Sequence, residues 1–270
     1  MGKIHPSAVV EDGAALGADV EIGPFCFVGS GAKLGDGVKL RAHAVVMGNS
    51  EIGSGTEIYP HAVLGGPAQF RAETSDDSAL RVGTGNIIRE YVSMNCGTDK
   101  GGGITVVGDC GYFMANSHVG HDCQLGNEVT LSNSVALGGH VIVGNNVNIG
   151  GLAAVVQHVR IGRDAFLGGM SGLPTDVIPY GLAHGARAYL RGLNVVGLKR
   201  KNVSRERIHE LRGAFRDLFY GEVPFSERVE MAERRWQGSP EVDEIIAFIK
   251  AKAKRQICVP ELSAEKLSDA

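Results

Sequence analysis

The chain has 270 residues, 43% hydrophobic and 21% charged, with a formal net charge of −3 at pH 7. That balance is ordinary for a globular protein and speaks against a polyanion-binding chain, and no run of about 20 apolar residues is present to span a membrane. Glycine departs from the ordinary: 39 glycines stand beside nine prolines without a G-X-Y period, which excludes collagen and points to a repeat with a turn in every unit.

The opening residues, MGKIHPSAVV, lack the long apolar segment of a secretory signal, and Pro6 spoils a myristoylation match. The five cysteines (26, 96, 110, 123, 258) are odd in number and never spaced as CxxC. A disulfide framework or zinc ribbon is therefore disfavoured, and a reducing cytoplasm is the expected setting.

From Ile4, steps of six land on Val10, Leu16, Ile22, Val28, Leu34, Leu40, Val46, Ile52, Ile58 and Leu64, eleven consecutive aliphatic residues. Small residues mostly follow four positions on, from Ala8 and Ala14 to Ala44. The frame is lost in GPAQFRAETSDDSALR, resumes at Val82, Ile88 and Met94, slips through TDKGGG, and then runs from Val107 to Leu173. No α-helix keeps one face at a strict period of six, whereas short strands joined by turns can. A unit of six residues cannot bury its own apolar side chain, so the units must stack and share a core.

This pattern resembles the left-handed parallel β-helix of the hexapeptide-repeat acyltransferases. In that fold three hexads make a triangular coil, and residues 18 apart stack at roughly 4.8 Å. The resemblance implies a β-helix domain over residues 1–185, with loops at about 66–81 and 99–106 projecting from the prism.

Residues 186–258 are expected to form a helical C-terminal domain. VSRERIHELRGAFRDLFY places Ile208, Leu211, Phe215 and Leu218 at helical spacing behind Ser204, a residue type suited to an N-cap. PFSERVEMAERRW and PEVDEIIAFIKAKAKR read the same way, each with a proline near its start. Residues 259–270 read as a mobile tail.

Within ANSHVGHDC (115–123), His118, His121 and Asp122 are concentrated in an otherwise small and apolar repeat. Asp122, His140 and His158 lie 18 apart at the fourth position of their hexads, and His121, Gly139 and Gln157 form the neighbouring column. Neither column carries the inward aliphatic or small residues. His121, Asp122, His140 and His158 are thus expected to face outward and gather on one outer surface. Lone histidines on such an exterior are solvated, the reading given to His5, His43, His61 and His209. An imidazole beside a carboxylate suits general-base chemistry near neutral pH. Zinc is the weaker alternative: the zinc-binding β-helix enzymes that resemble carbonic anhydrase use an HxxxxH pair, whereas His118 and His121 are separated by two residues. No metal or cofactor is expected.

GPFCFVG, NSHVGHDC, LGGHV, GGMSG, DVIPYGLAHG and NVVGLKRKNVSRERI together resemble the UDP-N-acetylglucosamine O-acyltransferase family over essentially the whole chain. The resemblance implies transfer of a 3-hydroxyacyl chain from acyl carrier protein to the 3-position of the UDP-linked sugar, the first step of lipid A biosynthesis. By its motifs His121 would be the general base, Asp122 its orienting partner and the Gly139 N–H the oxyanion donor. His118, His140, Gln157, Asn194 and Arg200 match substrate-binding positions, and Phe166 and Gly169 match an acyl-chain groove between subunits of a homotrimer.

The motif match has gaps. Val156 stands where the family usually has histidine. Phe70 and Ala72 replace an Asp and a Lys of the first loop, leaving Gln69 and Arg71 as the polar substitutes. N-acylation of a UDP-3-amino sugar is therefore an alternative reaction, and a catalytically silent scaffold is the alternative from another class. Residues 187–216 carry nine Lys/Arg against two Glu. That patch suits docking of an acidic carrier protein better than nucleic acid, since no nucleic-acid module accompanies it.

Overall fold

The computed structural model describes residues 3–71 and 77–261. Most strands are two residues long and fall on three sheets of 11, 9 and 8 strands, parallel except for the last pair of the first. The first face begins with Lys3–Ile4, the second with Val9–Val10 and the third with Ala15–Leu16. Each coil visits the faces in turn, and the pairing register is 18 residues where no loop intervenes: His118 pairs with Ala136, Ala136 with Ala154, and Ala154 with Gly172. The result is the left-handed β-helix followed by a small helical domain.

The hexad aliphatics fill the prism. Val28, Val46, Ile58, Leu64, Ile88, Val119, Leu137, Ile149 and Leu173 are fully buried, and the small residues at Ala32, Ala44 and Ala62 are buried between them. Only the first turn departs, with Ile4 half exposed at the open end of the stack. The turn residues that follow each strand repeatedly adopt left-handed backbone, among them Asp122 (φ 59°), His140 (φ 59°) and His158 (φ 65°). Asp, Asn and His tolerate that region better than other residues with a Cβ, so the corner itself favours these residue types.

Three boundaries differ from expectation. Ala79–Val82 and Ile104–Val107 are strands paired with one another, so the first loop is shorter than expected, at 67–78, and the second is displaced to 96–103. The helical domain starts later than residue 186, because Gly181–His184 and Tyr189–Leu193 first form an antiparallel hairpin closing the first face. Finally, Leu190 N–H donates to Val259 O and Arg191 pairs with Glu261, so the chain is still docked at residues 259–261; residues 262–270 lie outside the described residues.

Four helices follow: α1 (Val195–Arg200), α2 (Arg205–Phe219), α3 (Phe225–Arg235) and α4 (Pro240–Lys250). Ser204 caps α2 through the Arg207 N–H, and Ile208, Leu211, Phe215 and Leu218 are its buried stripe. Arg160, on the last full coil, ties this domain to the prism. Its guanidinium donates to the buried Asp176 at 2.7 Å and to Phe248 O of α4 at 3.2 Å, while stacking over the Phe248 ring.

Candidate active site

The two loops and the histidine motif leave the prism at one edge. Residues 67–78 connect a second-face strand, Val63–Gly66, to a third-face strand, and residues 96–103 do the same one coil later. His121 and Asp122 form the corresponding corner of the next coil, followed by Gly139–His140 and Gln157–His158. Two coils therefore supply long excursions just below the corner that holds the polar cluster.

The excursions change the environment of that corner. His121 and Asp122 are only 5% and 4% exposed, contrary to their expected place on an open surface. The 96–103 loop folds onto Asp122 instead of projecting, through a single 3-10 turn at Asp99–Gly101. Thr98 N–H donates to Asp122 Oδ1 at 2.9 Å, and the Thr98 hydroxyl to Oδ2 at 2.7 Å. A Cβ at Gly101 would lie 2.2 Å from Asp122 Oδ2, so only glycine lets the loop lie against the carboxylate. The Asp122 N–H is taken by the Thr105 hydroxyl.

Asp122 Oδ2 also lies 2.8 Å from His121 Nδ1. Burial on its own raises the Asp122 carboxyl, but the His121 hydrogen bond, the two Thr98 bonds and the nearby His140 outweigh it and hold the group below its ordinary value. An ionised carboxylate only accepts, so His121 Nδ1 is the donor and the neutral ring keeps its lone pair on Nε2. The ring lies directly against Gly139, where a Cβ would meet His121 Cε1 at 2.4 Å. Gly139 N–H donates to no acceptor among the described residues.

His140 meets His121 edge-on at 5.1 Å and stacks on His158 at 4.4 Å between centroids. His118 faces the same edge from the adjoining strand, with Nδ1 2.8 Å from the Ser93 hydroxyl. Desolvation lowers the pKa of all three, His118, His140 and His158, below the ordinary histidine value. For His140 the attraction of Asp122 opposes the shift, whereas Lys254 adds to it for both His140 and His158.

His121, Asp122 and His140 place donor atoms within 4.8 Å of one another, close enough to be considered for a metal. The shared oxygen, Asp122 Oδ2, already receives the His121 N–H and the Thr98 O–H. The arrangement is better built to orient an imidazole than to ligate a cation.

The structure thus assembles His118, His121, Asp122, Gly139, His140 and the Gln157 corner along one edge. Gln69 is exposed in the first loop, next to Phe70, whose ring tilts against His121 at 5.3 Å. Ala72 lies outside the described residues. The remaining candidates sit elsewhere. Phe166 is on the first face and Gly169 on the edge between the first and second faces. Asn194 is at the third edge, where its Nδ2 donates to Asp164 O and its Oδ1 caps α1 through Gly197 N–H. Arg200 is exposed at the end of α1.

Thr98, Thr105, Ser93, Lys254 and Arg255 escape a reading by periodicity. The threonines and the serine bond to the site from preceding coils, while Arg255 reaches back 98 residues to donate to Gln157 O. The TDKGGG break, where the hexad frame fails beside the histidine motif, was the available signal for Thr98.

Comparisons with known proteins agree with this geometry. Residues 176–258 match the family described as Udp N-acetylglucosamine O-acyltransferase, Domain 2, and residues 31–66 match the bacterial transferase hexapeptide repeat. An acyl-(acyl-carrier-protein)–UDP-N-acetylglucosamine O-acyltransferase of Anaeromyxobacter dehalogenans is 47% identical over 251 residues, covering 93% of this chain and 98% of the relative. The protein of that name from Bartonella henselae is 44% identical over 267 residues, 99% of this chain and 97% of its own. The solved structure of the UDP-N-acetylglucosamine acyltransferase from Campylobacter jejuni superposes with a TM-score of 0.90 at 36% identity, covering 95% of this chain and 99% of that one. The chain belongs to the acyl-(acyl-carrier-protein)–UDP-N-acetylglucosamine O-acyltransferase family.

Proposed function

We propose that the chain transfers a 3-hydroxyacyl group from the thioester of acyl carrier protein to the 3-hydroxyl of UDP-N-acetylglucosamine, the entry reaction of lipid A biosynthesis. The observation that carries this reading is the buried Asp122, which fixes His121 with Nε2 as its free base. Nε2 takes the hydroxyl proton as the sugar oxygen bonds to the thioester carbonyl carbon. The Gly139 N–H, fixed beside the imidazole, is placed to donate to the oxyanion that forms. Collapse of the tetrahedral species breaks the carbon–sulfur bond, and the imidazolium returns the proton to the carrier thiolate.

Assembly into a homotrimer is part of the same proposal. Asn194, Gly169 and His121 occupy three different edges of one prism, and a neighbouring copy would bring them to one sugar nucleotide and acyl chain. The second face is suited to such packing. Its outward positions include Phe27, Val45, Val63, Ala136 and Ala154, with no Lys, Arg, Asp or Glu among the described strands. The first and third faces present Lys39, Glu57, Lys33 and Arg81 instead.

Carrier docking is assigned to the basic surface. Arg191, Lys201 and Arg207 of the expected patch pair with Glu261, Asp164 and Glu241. Arg212 and Arg216 make no ion pair among the described residues, and with Tyr220 they line a groove of about 530 Å³. A cytoplasmic setting is supported by five free cysteines, and no described helix is long and apolar enough to cross a membrane.

N-acylation of a UDP-3-amino sugar is favoured by one observation, the apolar Phe70 ring against His121. An apolar neighbour disfavours an ammonium and keeps an amine in its neutral, nucleophilic form. Parallel assays with UDP-N-acetylglucosamine and its 3-amino analogue decide between the two. A product from the hydroxyl acceptor supports the proposal, and a product from the amine alone replaces it. Turnover of either that survives His121→Ala removes His121 as the base.

A further inference from the structure

The segment that leaves α4 returns to the histidine edge carrying positive charge. Residues 250–255 read KAKAKR, and Arg255 Nε donates to Gln157 O at 2.9 Å. The next residues are held on the other side by the last coil. Asp176 N–H donates to Gln256 O at 2.8 Å, and Cys258 N–H donates to Asp176 O at 2.7 Å, in a short parallel bridge. The position of Arg255 is therefore fixed from both directions.

These cations lack partners. Lys250 pairs with Glu233, but Lys252 and Lys254 make no ion pair or hydrogen bond among the described residues. Arg255 uses only Nε, so both terminal nitrogens of its guanidinium are without an acceptor among those residues. Two carboxylates act on this corner, and both are already satisfied. Asp176 is fully buried and accepts from the Arg160 N–H and Nε. Asp122 accepts from Thr98 and His121. Beyond the desolvation of the rings, the Lys254 charge acts on His140 and His158, and that of Arg255 on His158. Like charges gathered beside two histidines without a counter-charge form a place for an arriving anion.

We propose that Arg255 and Lys254 form a subsite for a phosphate group of a reactant, an assignment that rests on the sugar-nucleotide and carrier-protein reading above. The two free nitrogens of the Arg255 fork donate to two phosphate oxygens, while Nε stays on Gln157 O and aims the fork. Lys254 adds a point charge beside His158. Two reactants bring such a group: the diphosphate of the sugar nucleotide and the phosphodiester of the carrier's prosthetic arm. The Gln157 corner lies two coils from His121, about 10 Å along the edge at the spacing of stacked strands. That span suits a sugar ring with the phosphate on its anomeric carbon, whereas a whole pantetheine arm separates the carrier's phosphate from the thioester.

Calorimetric titration of the full-length protein with UDP, uridine and phosphopantetheine reads the subsite directly. Lys254→Gln combined with Arg255→Gln is expected to weaken UDP by about tenfold or more, the contribution of charge-assisted hydrogen bonds to one phosphate, and to leave uridine unchanged. A loss confined to UDP assigns the diphosphate, and a loss confined to phosphopantetheine assigns the carrier's arm. A loss of both assigns a site that the two share. Each of these supports the subsite.

Lys254→Glu covers the case in which losing the Arg255 bond to Gln157 upsets the fold, because this side chain is exposed and has no bond to lose. It is expected to weaken the same ligand more than Lys254→Gln does. The subsite is overturned if the folded variants bind UDP and phosphopantetheine as the wild type does, or if uridine weakens in step with UDP. A wild type that binds neither UDP nor phosphopantetheine overturns the reading on which the subsite rests, a separate result.

Discussion

Replacing Asp122 by Asn tests the site's internal logic with a change of one atom. The carboxylate accepts from His121 Nδ1, Thr98 N–H and the Thr98 hydroxyl at 2.7 to 2.9 Å. An asparagine can keep Oδ1 on the Thr98 N–H, but its NH2 then faces His121 Nδ1. Two donors cannot share that bond, so Nδ1 becomes the acceptor and the proton moves to Nε2, the atom needed as base. A tautomer reversed in this way costs about 10³ to 10⁴ in kcat, or about 4–5.5 kcal/mol of transition-state stabilisation. The assay is the initial rate with acyl carrier protein thioester and saturating sugar nucleotide, with circular dichroism to confirm the fold. A folded Asp122→Asn enzyme with kcat within tenfold of the wild type would refute the assigned tautomer.

Other consequences can be measured directly. Gly139→Ala drives a Cβ into the His121 ring, and displacing the base by about 1 Å is expected to lower kcat about a hundredfold with the protein still folded. Asp176→Ala strands the half-buried Arg160 guanidinium, and urea unfolding should show a loss of about 3–5 kcal/mol. Because His118, His140 and His158 have lowered pKa values, the unfolded chain binds more protons than the folded one as pH falls below about 6.5. Stability is therefore complete above that pH and declines below it, and His158→Asn should show a smaller loss between pH 7 and pH 5 in parallel urea melts. Arg212→Glu with Arg216→Glu should raise KM for the acyl carrier protein at low salt, with the gap closing at high salt and the sugar-nucleotide KM unchanged.

The repeat was readable because each interior aliphatic is both buried and regularly placed, as Val28, Val46 and Leu64 show. The histidine column was readable for the same reason, since an 18-residue offset assigns Asp122, His140 and His158 to one edge without knowledge of contacts. The burial of His121 and Asp122 was not. It depends on Thr98 and Gly101 folding back from a loop in which the period is lost. Asn194 illustrates a further limit: its motif matches a substrate position, while within this chain both ends of its amide serve the α1 cap and the Asp164 carbonyl.

The most direct test of the account is mass spectrometry of the products formed when purified wild type and His121→Ala are each given a mixture of 3-hydroxyacyl carrier proteins with UDP-N-acetylglucosamine. The wild type is expected to yield a 3-O-acylated sugar nucleotide, its chain length reporting the groove, and His121→Ala to react at least about a hundredfold more slowly. An absent product with folded wild type, or equal turnover by the two proteins, would contradict it.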